Sequence, residues 1–92
     1  MIYDKSIIES EKIFKLFANK HRIAILKYLK EKKEASVGSV ADNLECPYTD
    51  ASKHLLYLTK AGILKSRYYG PFVMYKILEN LPNHFNKIIS YF

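Results

Sequence analysis

Apolar residues recur at intervals of three and four positions in five segments of the chain, with charged or polar residues between them. This spacing puts the apolar side chains of a segment on one face of a helix. We therefore predict helices over residues 4–18, 20–32, 36–44, 47–61 and 81–92. Asn19 and Ser36 stand where the second and third of these helices begin, and both residue types favour the N-cap.

The pattern changes after Gly62, where two runs rich in β-branched and aromatic residues, ILKSRYY and FVMYKIL, flank Gly70 and Pro71. Two such runs around a Gly-Pro pair predict a β-hairpin. Lys65 and Arg67 lie two positions apart in the first run. One face of that strand is therefore expected to carry charge.

Segments 36–44 and 47–61 are joined by a turn of only a few residues, because Pro47 disfavours helical conformation at Cys46. Two helices joined in this way form a helix-turn-helix, and the hairpin after them would be its wing. The first residues of the second helix of such a motif meet base edges in the major groove. We predict a mainly α fold with a small β-hairpin wing: one winged helix-turn-helix domain of five helices, covering residues 1–92 and acting as a dimer.

Composition narrows the class of partner. The chain has 92 residues and a formal net charge of +6, which suits a polyanion such as nucleic acid or an anionic membrane surface. No apolar run approaches the roughly 18 residues of a membrane span, and the first residues do not resemble a signal peptide. Cys46 is the only cysteine and cannot form a disulfide within the chain. We expect a cytoplasmic protein.

Small polar and basic residues crowd the start of segment 47–61 and are the candidates for major-groove contact. Lysine can donate to guanine O6 and N7, Ser and Thr can serve either base, and Asp can accept from cytosine N4. Under the alternative interpretation, Thr49 and Asp50 only cap a solvated helix, and His54 is a partly buried structural residue instead of a phosphate contact. The candidates are Tyr48, Thr49, Asp50, Ser52, Lys53 and His54.

A second group of candidates would contact the DNA backbone or minor groove. At the start of the second helix, backbone N–H groups also point outward toward any phosphate. The alternatives are an ordinary charged hairpin and, for Arg22, an internal ion pair. The candidates are Lys65, Arg67, Tyr68, Tyr69 and Gly70 in the wing, with Lys20 and Arg22 in the second helix.

The first and last predicted helices carry more apolar surface than so small a domain is expected to cover. Pairing with a second subunit would bury it. The candidates for this dimer contact are Ile7, Phe14, Phe85, Ile88, Ile89 and Phe92.

The order and spacing of these pieces resemble the arsenical-resistance repressor family, the ArsR/SmtB-type winged-helix regulators, over roughly residues 10–92. FANKHRIAILKYL resembles the entry to the family's motif, and ASVGSVADNL resembles its third helix. ASKHLLYLTKAGIL and YYGPFVMYKI resemble its recognition helix and wing. The resemblance implies a dimeric repressor that leaves its DNA operator when an effector binds. It also implies dimer contacts through the first and last helices.

Two departures from the family pattern concern metal. Metal-sensing members carry two cysteines on the third helix, where this sequence has Ser36 and Gly38. Other members bind zinc between C-terminal helices, and here that helix contains a single histidine, His84. We therefore expect neither a metal site nor a cofactor, and the effector is unknown. Pro47 stands in place of the family's serine N-cap, which leaves Thr49 as an alternative cap.

Two other function classes fit the sequence less well than DNA binding does. A protein-interaction module would use the exposed aromatic residues Tyr48, Tyr68, Tyr69 and Phe72, but the charge of the surrounding lysines disfavours it. An enzyme is disfavoured because the sequence contains no paired nucleophile and base and no glycine-rich phosphate loop.

Overall fold

Five helices and three strands make up residues 2–92, the part of the chain that the computed structural model describes. In chain order they are α1 (Lys5–Phe17), α2 (Lys20–Lys32), β1 (Ala35–Ser36), α3 (Val37–Leu44), α4 (Tyr48–Lys60), β2 (Leu64–Tyr69), β3 (Phe72–Ile77) and α5 (Asn83–Ile89). The predicted ends of the first four helices agree with these bounds to within one residue. The last helix is shorter than the predicted segment 81–92.

Local hydrogen bonds explain where the first three helices begin. The side chains of Asp4, Asn19 and Ser36 each accept hydrogen bonds from backbone N–H groups in the first turn of α1, α2 and α3. The two N-caps predicted from the sequence, Asn19 and Ser36, are therefore confirmed. The N-cap of α4 is Pro47, which offers no side-chain hydrogen bond, and Thr49 lies inside the helix. The expectation that Thr49 is an alternative cap is wrong.

The hairpin belongs to a three-stranded antiparallel sheet with the order β1-β3-β2. β2 and β3 pair from Leu64 opposite Ile77 to Tyr69 opposite Phe72, as predicted, and Gly70 turns the chain at φ +58°. The sequence does not predict β1, because Ser36 is assigned there to the start of the third helix. Ala35 pairs with Tyr75, and the strand holds the start of α3 against the sheet.

The core lies between α2, α3, α4 and the sheet. The side chains of Ile25 and Leu26 in α2 and of Leu55 and Leu58 in α4 are completely buried, and Ile63 is buried just before β2. The apolar stripe of α4 thus faces inward along the length of the helix. Its opposite side is left to solvent.

The two terminal helices differ in how far the chain itself covers them. Ile89 of α5 is 6% exposed, and the rings of Phe85 and Phe92 pack against Phe17 at centroid distances of 5.9 and 6.1 Å. The Lys30 ammonium also donates to the carbonyl of Ile89 at 3.1 Å, near the C-terminal end of the helix. The expectation that the last helix finds little to cover within its own chain is therefore wrong, most clearly for Ile89.

α1 is covered only at its C-terminal end, where Leu16 and Phe17 are buried. Ile7 is 40%, Ile8 52% and Phe14 66% exposed. Three large apolar side chains on one helix thus lack a partner within residues 2–92. In that described part of the chain, no helix is long and apolar enough to cross a membrane.

Candidate nucleic-acid interface

The first turns of α4 present polar side chains to solvent, because the buried stripe of Ala51 and Leu55 fixes which side of the helix faces the core. Thr49, Asp50 and Lys53 are exposed, and Ser52 is partly buried. Tyr48, the first helical residue, is 59% exposed. The structure therefore brings these five of the six predicted recognition-helix residues together on one accessible surface, which we call the α4 surface.

The charges on the α4 surface are not neutralised by the rest of the protein. Lys53 takes part in none of the salt bridges found in residues 2–92. Asp50 lies in the first turn of the helix, where the helix dipole favours a carboxylate. Lys53 is thus free to donate to a base or a phosphate, and Asp50 stabilises the helix end whether or not it contacts a base.

His54 lies partly buried at the edge of this surface, with its ring centroid 5.3 Å from that of His21. Burial lowers the pKa of His54, and the neighbouring His21 and Arg22 lower it further, against the opposite effect of Asp50. A lowered pKa favours the uncharged form of the imidazole. These contacts favour the structural interpretation of His54 over a cationic phosphate contact.

Arg22 is partly buried and contacts two other helices. Its Nη2 donates to the backbone carbonyl of Lys15 in α1 at 3.2 Å, and its guanidinium carbon lies 4.1 Å from the ring centroid of Tyr57 in α4. Arg22 thus forms this hydrogen bond and cation–π contact in place of the internal ion pair given above as its alternative role. Lys20, by contrast, is exposed and could reach a phosphate.

Arg67 is held on the face of the hairpin by a residue that the sequence did not identify. Its Nε and Nη2 donate to the two carboxylate oxygens of Glu34 at 2.8 and 2.7 Å, and its guanidinium lies 5.2 Å from the ring centroid of Tyr69. The hydrogen bond from Arg67 lowers the pKa of Glu34, so the pair is fully ionised at neutral pH. Arg67 is thus paired within the protein while its side chain stays 54% exposed, and its contact with DNA stays a prediction.

The same face of the hairpin carries the other charges of the wing, as the alternation in the sequence indicated. Lys65 is directly opposite Lys76, and Lys76 binds Glu79 at 2.9 Å. Lys65 is exposed and joins none of the salt bridges described within residues 2–92. It is the one cation of this face that is not bound to a carboxylate in the part of the chain described.

The tip of the wing is aromatic. Tyr68 is 81%, Tyr69 62% and Phe72 57% exposed around the turn at Gly70. Phe72, a candidate only in the protein-interaction alternative, lies directly opposite Tyr69 in the strand register. We call these three aromatic residues the wing tip.

No group of three or more His, Cys, Asp or Glu side chains in residues 2–92 is arranged to hold a metal ion. Cys46 is a free, partly buried thiol in the turn between α3 and α4. The α4 surface can therefore donate hydrogen bonds and supply positive charge, and the wing tip beside it is apolar.

Comparisons with known proteins agree with this architecture. Residues 17–67 match a family model described as a helix-turn-helix domain. The chain is 35% identical over 82 residues to an HTH-type transcriptional regulator of Methanocaldococcus jannaschii, covering 89% of this chain and 92% of that protein. It is 31% identical over 78 residues to the arsenical resistance operon repressor of Escherichia coli, covering 85% of this chain and 67% of that one.

A solved structure shows the same fold over almost the whole chain. The transcriptional repressor PagR of Bacillus anthracis superposes with a TM-score of 0.72 at 26% identity, covering 94% of each chain. Together with the helix-turn-helix and wing described above, these matches show that the chain belongs to the ArsR/SmtB-type family of winged helix-turn-helix, DNA-binding transcriptional regulators.

Proposed function

We propose that this chain is a sequence-specific repressor that acts in the cytoplasm as a homodimer on an inverted-repeat DNA operator. The observation that carries the proposal is the α4 surface, whose cation Lys53 is unpaired while the helix beneath it is anchored by completely buried residues. A rigid helix with free donors at its N-terminal end fits the major groove, which is wide enough to admit it.

In this proposal each residue of the α4 surface makes a different contact with DNA. Lys53 donates to guanine O6 or N7, and Thr49 and Ser52 hydrogen-bond to either base or phosphate. Asp50 accepts from cytosine N4, and Tyr48 packs at the groove edge. Lys20 and Lys65 neutralise phosphates and position the protein without reading sequence. His54, Arg22 and Arg67 are left out of the contact set because their own protein engages them.

The dimer in this proposal forms mainly through α1. Ile7, Ile8 and Phe14 leave apolar area uncovered, and a two-fold axis would bring the same patch from both subunits together. Phe85, Ile88 and Phe92 are partly buried and border that contact. Two-fold symmetry places two recognition helices in successive major grooves, about 34 Å apart. The relatives from E. coli and B. anthracis are described as repressors, which supports the direction of regulation.

Selection of bound fragments from random duplex DNA by the purified protein tests the sequence-reading role. We expect an enriched inverted repeat with half-sites one helical turn apart. Lys53→Ala should weaken binding roughly tenfold and relax the preference at one position of each half-site. Lys32→Ala, at the exposed C-terminal end of α2, is the control. Enrichment of no common sequence by the wild-type protein would refute the proposal, and running the selection with and without metals and oxidant also tests for an effector.

Sedimentation equilibrium tests the dimer. Phe14→Glu places a charge in the proposed contact and should convert the protein to a monomer with an unchanged circular dichroism spectrum. Phe72→Glu, which alters a similarly exposed phenylalanine of the wing, should leave the dimer intact. A wild-type protein that sediments as a monomer would contradict this part of the proposal.

A protein-interaction module is the second candidate function, because the wing tip and Tyr48 expose four aromatic rings. The net charge of +6 and the free lysines beside them favour a polyanion instead. A mobility-shift assay with random genomic fragments separates the two, since even non-specific DNA binding should be visible at low salt.

A further inference from the structure

The wing carries no free positive charge near its tip. Residues 68–75, YYGPFVMY, contain no charged side chain at all. The nearest arginine, Arg67, is bound through two hydrogen bonds to Glu34. The residues of the tip itself therefore supply no charge for neutralising phosphates.

The tip also projects from the domain on a stiff hairpin and carries aromatic side chains on both faces. β2 runs six residues from the buried Leu64, so Tyr69 stands about 17 Å farther out, at roughly 3.4 Å per residue. Tyr69 and Phe72 face each other on one side of the hairpin, and Tyr68 projects from the other. Pro71 has a restricted φ and stiffens the turn. Aromatic rings thus extend from both faces of the tip.

The hairpin that carries the tip packs beside α4. The chain passes from α4 through the turn at Gly62 directly into β2, and the two elements are in contact. Tyr68 lies on the same face of the sheet as Tyr75, a residue buried against the helices. The pKa of Tyr75 is raised mainly by burial and further by Tyr48 and Tyr68, which agrees with this placement. A duplex bound along α4 is therefore expected to reach the wing.

The dimensions of B-DNA decide what such a tip can do there. The minor groove is about 6 Å wide, while two paired backbones alone are about 4.8 Å apart. A hairpin with aromatic side chains on both faces does not fit this groove unless the groove widens. Proteins that insert apolar wedges in the minor groove partly unstack base steps and kink the duplex by about 20–90°.

We infer that the wing tip is an aromatic wedge: Phe72, Tyr69 and Tyr68 press into the minor groove beside each half-site and bend the operator without contributing charge. The inference rests on the proposed function and adds to it the mode of contact of the wing. It assigns to Phe72 a direct role in DNA binding. Protein binding by the same rings becomes an outcome of the test.

The test compares the wild-type protein with the double variant Tyr68→Ser, Phe72→Ser on an operator duplex of about 20–30 base pairs with a fluorophore at each end. We expect wild-type protein to shorten the end-to-end distance, and the variant to lose most of this bend and to bind at least roughly tenfold more weakly. The slope of log affinity against log salt should not change, because no cation is removed. Tyr91→Ser, at an 88% exposed tyrosine near the C-terminus, is the control.

The outcomes separate the wedge from the proposed function. Binding by the wild-type protein with equal bend and affinity in the double variant overturns the wedge alone and points to a protein partner for the rings. A flatter salt slope in the variant also overturns it, since that result requires a lost phosphate contact. No binding by wild-type protein to any duplex overturns both. Matching thermal unfolding curves confirm that the variant is folded.

Discussion

The recognition helix and the wing lie side by side but offer DNA opposite chemistry. The α4 surface has a free lysine and small hydroxyl side chains. The wing uses Arg67 to bind Glu34 and Lys76 to bind Glu79, and exposes aromatic rings at its end. The salt-sensitive part of DNA binding is therefore assigned to the free lysines of α2, α4 and the base of the wing, and the wing tip is assigned an apolar part.

The comparison shows that the positions of basic residues in a sequence do not tell which of them remain unpaired on the folded surface. Lys53 and Arg67 both lie in the segments that a winged helix turns toward DNA. One is unpaired, and the other is engaged by a carboxylate 33 residues away in the chain. Charge on a surface depends on which partners the fold brings to it.

The largest expected effect comes from the anchoring of α4. Leu55 is completely buried beneath the α4 surface. Leu55→Ala should lower the free energy of unfolding by about 2–5 kcal/mol, through lost burial and the cavity left behind. Phe72→Ala, at the wing tip, should change it by no more than about 0.5 kcal/mol. Chemical denaturation measures both, and equal losses would contradict the picture of an anchored helix beside an exposed tip.

A smaller effect is expected at the turn of the wing. Gly70 has φ +58°, a conformation that costs other residues about 1–2 kcal/mol. An added Cβ would meet nothing within 4 Å, so Gly70→Ala tests backbone strain alone. We expect faster amide exchange across β2 and β3, with α4 unaffected. Gly38→Ala in α3, where φ is not positive and the space is also open, is the control and should not destabilise the protein.

The smallest effect is expected at the ion pair of the hairpin. The pKa of Glu34 is lowered by Arg67, so the carboxylate stabilises the folded state above its ordinary pKa, and this stabilisation is lost as the pH falls through the lowered value. Glu34→Gln should therefore lower the melting temperature slightly at neutral pH and not in strong acid. Because the pair is exposed, the change should be small and should shrink with added salt. A difference that persists in strong acid would contradict the assignment.

Much of the fold could be predicted because its signals are local. The 3.6-residue period located α1 to α4, and Asn19 and Ser36 marked two of their starts. β1 could not be predicted, since two residues are too few to show a period of two. The sequence showed that α5 has an apolar face, but not that Phe17 and the core of its own chain cover part of it.

The candidate site was predictable to a similar extent. Exposure of Thr49 and Lys53 followed from the buried stripe between them, which is a property of one helix. The engagement of Arg22 with Tyr57 and of Arg67 with Glu34 depends on side chains from different elements. Spacing along the chain carries no information about such contacts. The predicted DNA contacts themselves remain predictions.

The central claim is that α4 and the wing tip together form the DNA-binding surface, and an NMR titration of the ¹⁵N-labelled protein with its selected operator tests it most directly. We predict that the largest amide shifts fall on residues 48–53 and on Tyr68, Tyr69, Gly70 and Phe72, while those around Glu34 and Lys30 hardly move. Shifts confined to α1, or spread evenly over the lysines of the whole surface, would contradict the account.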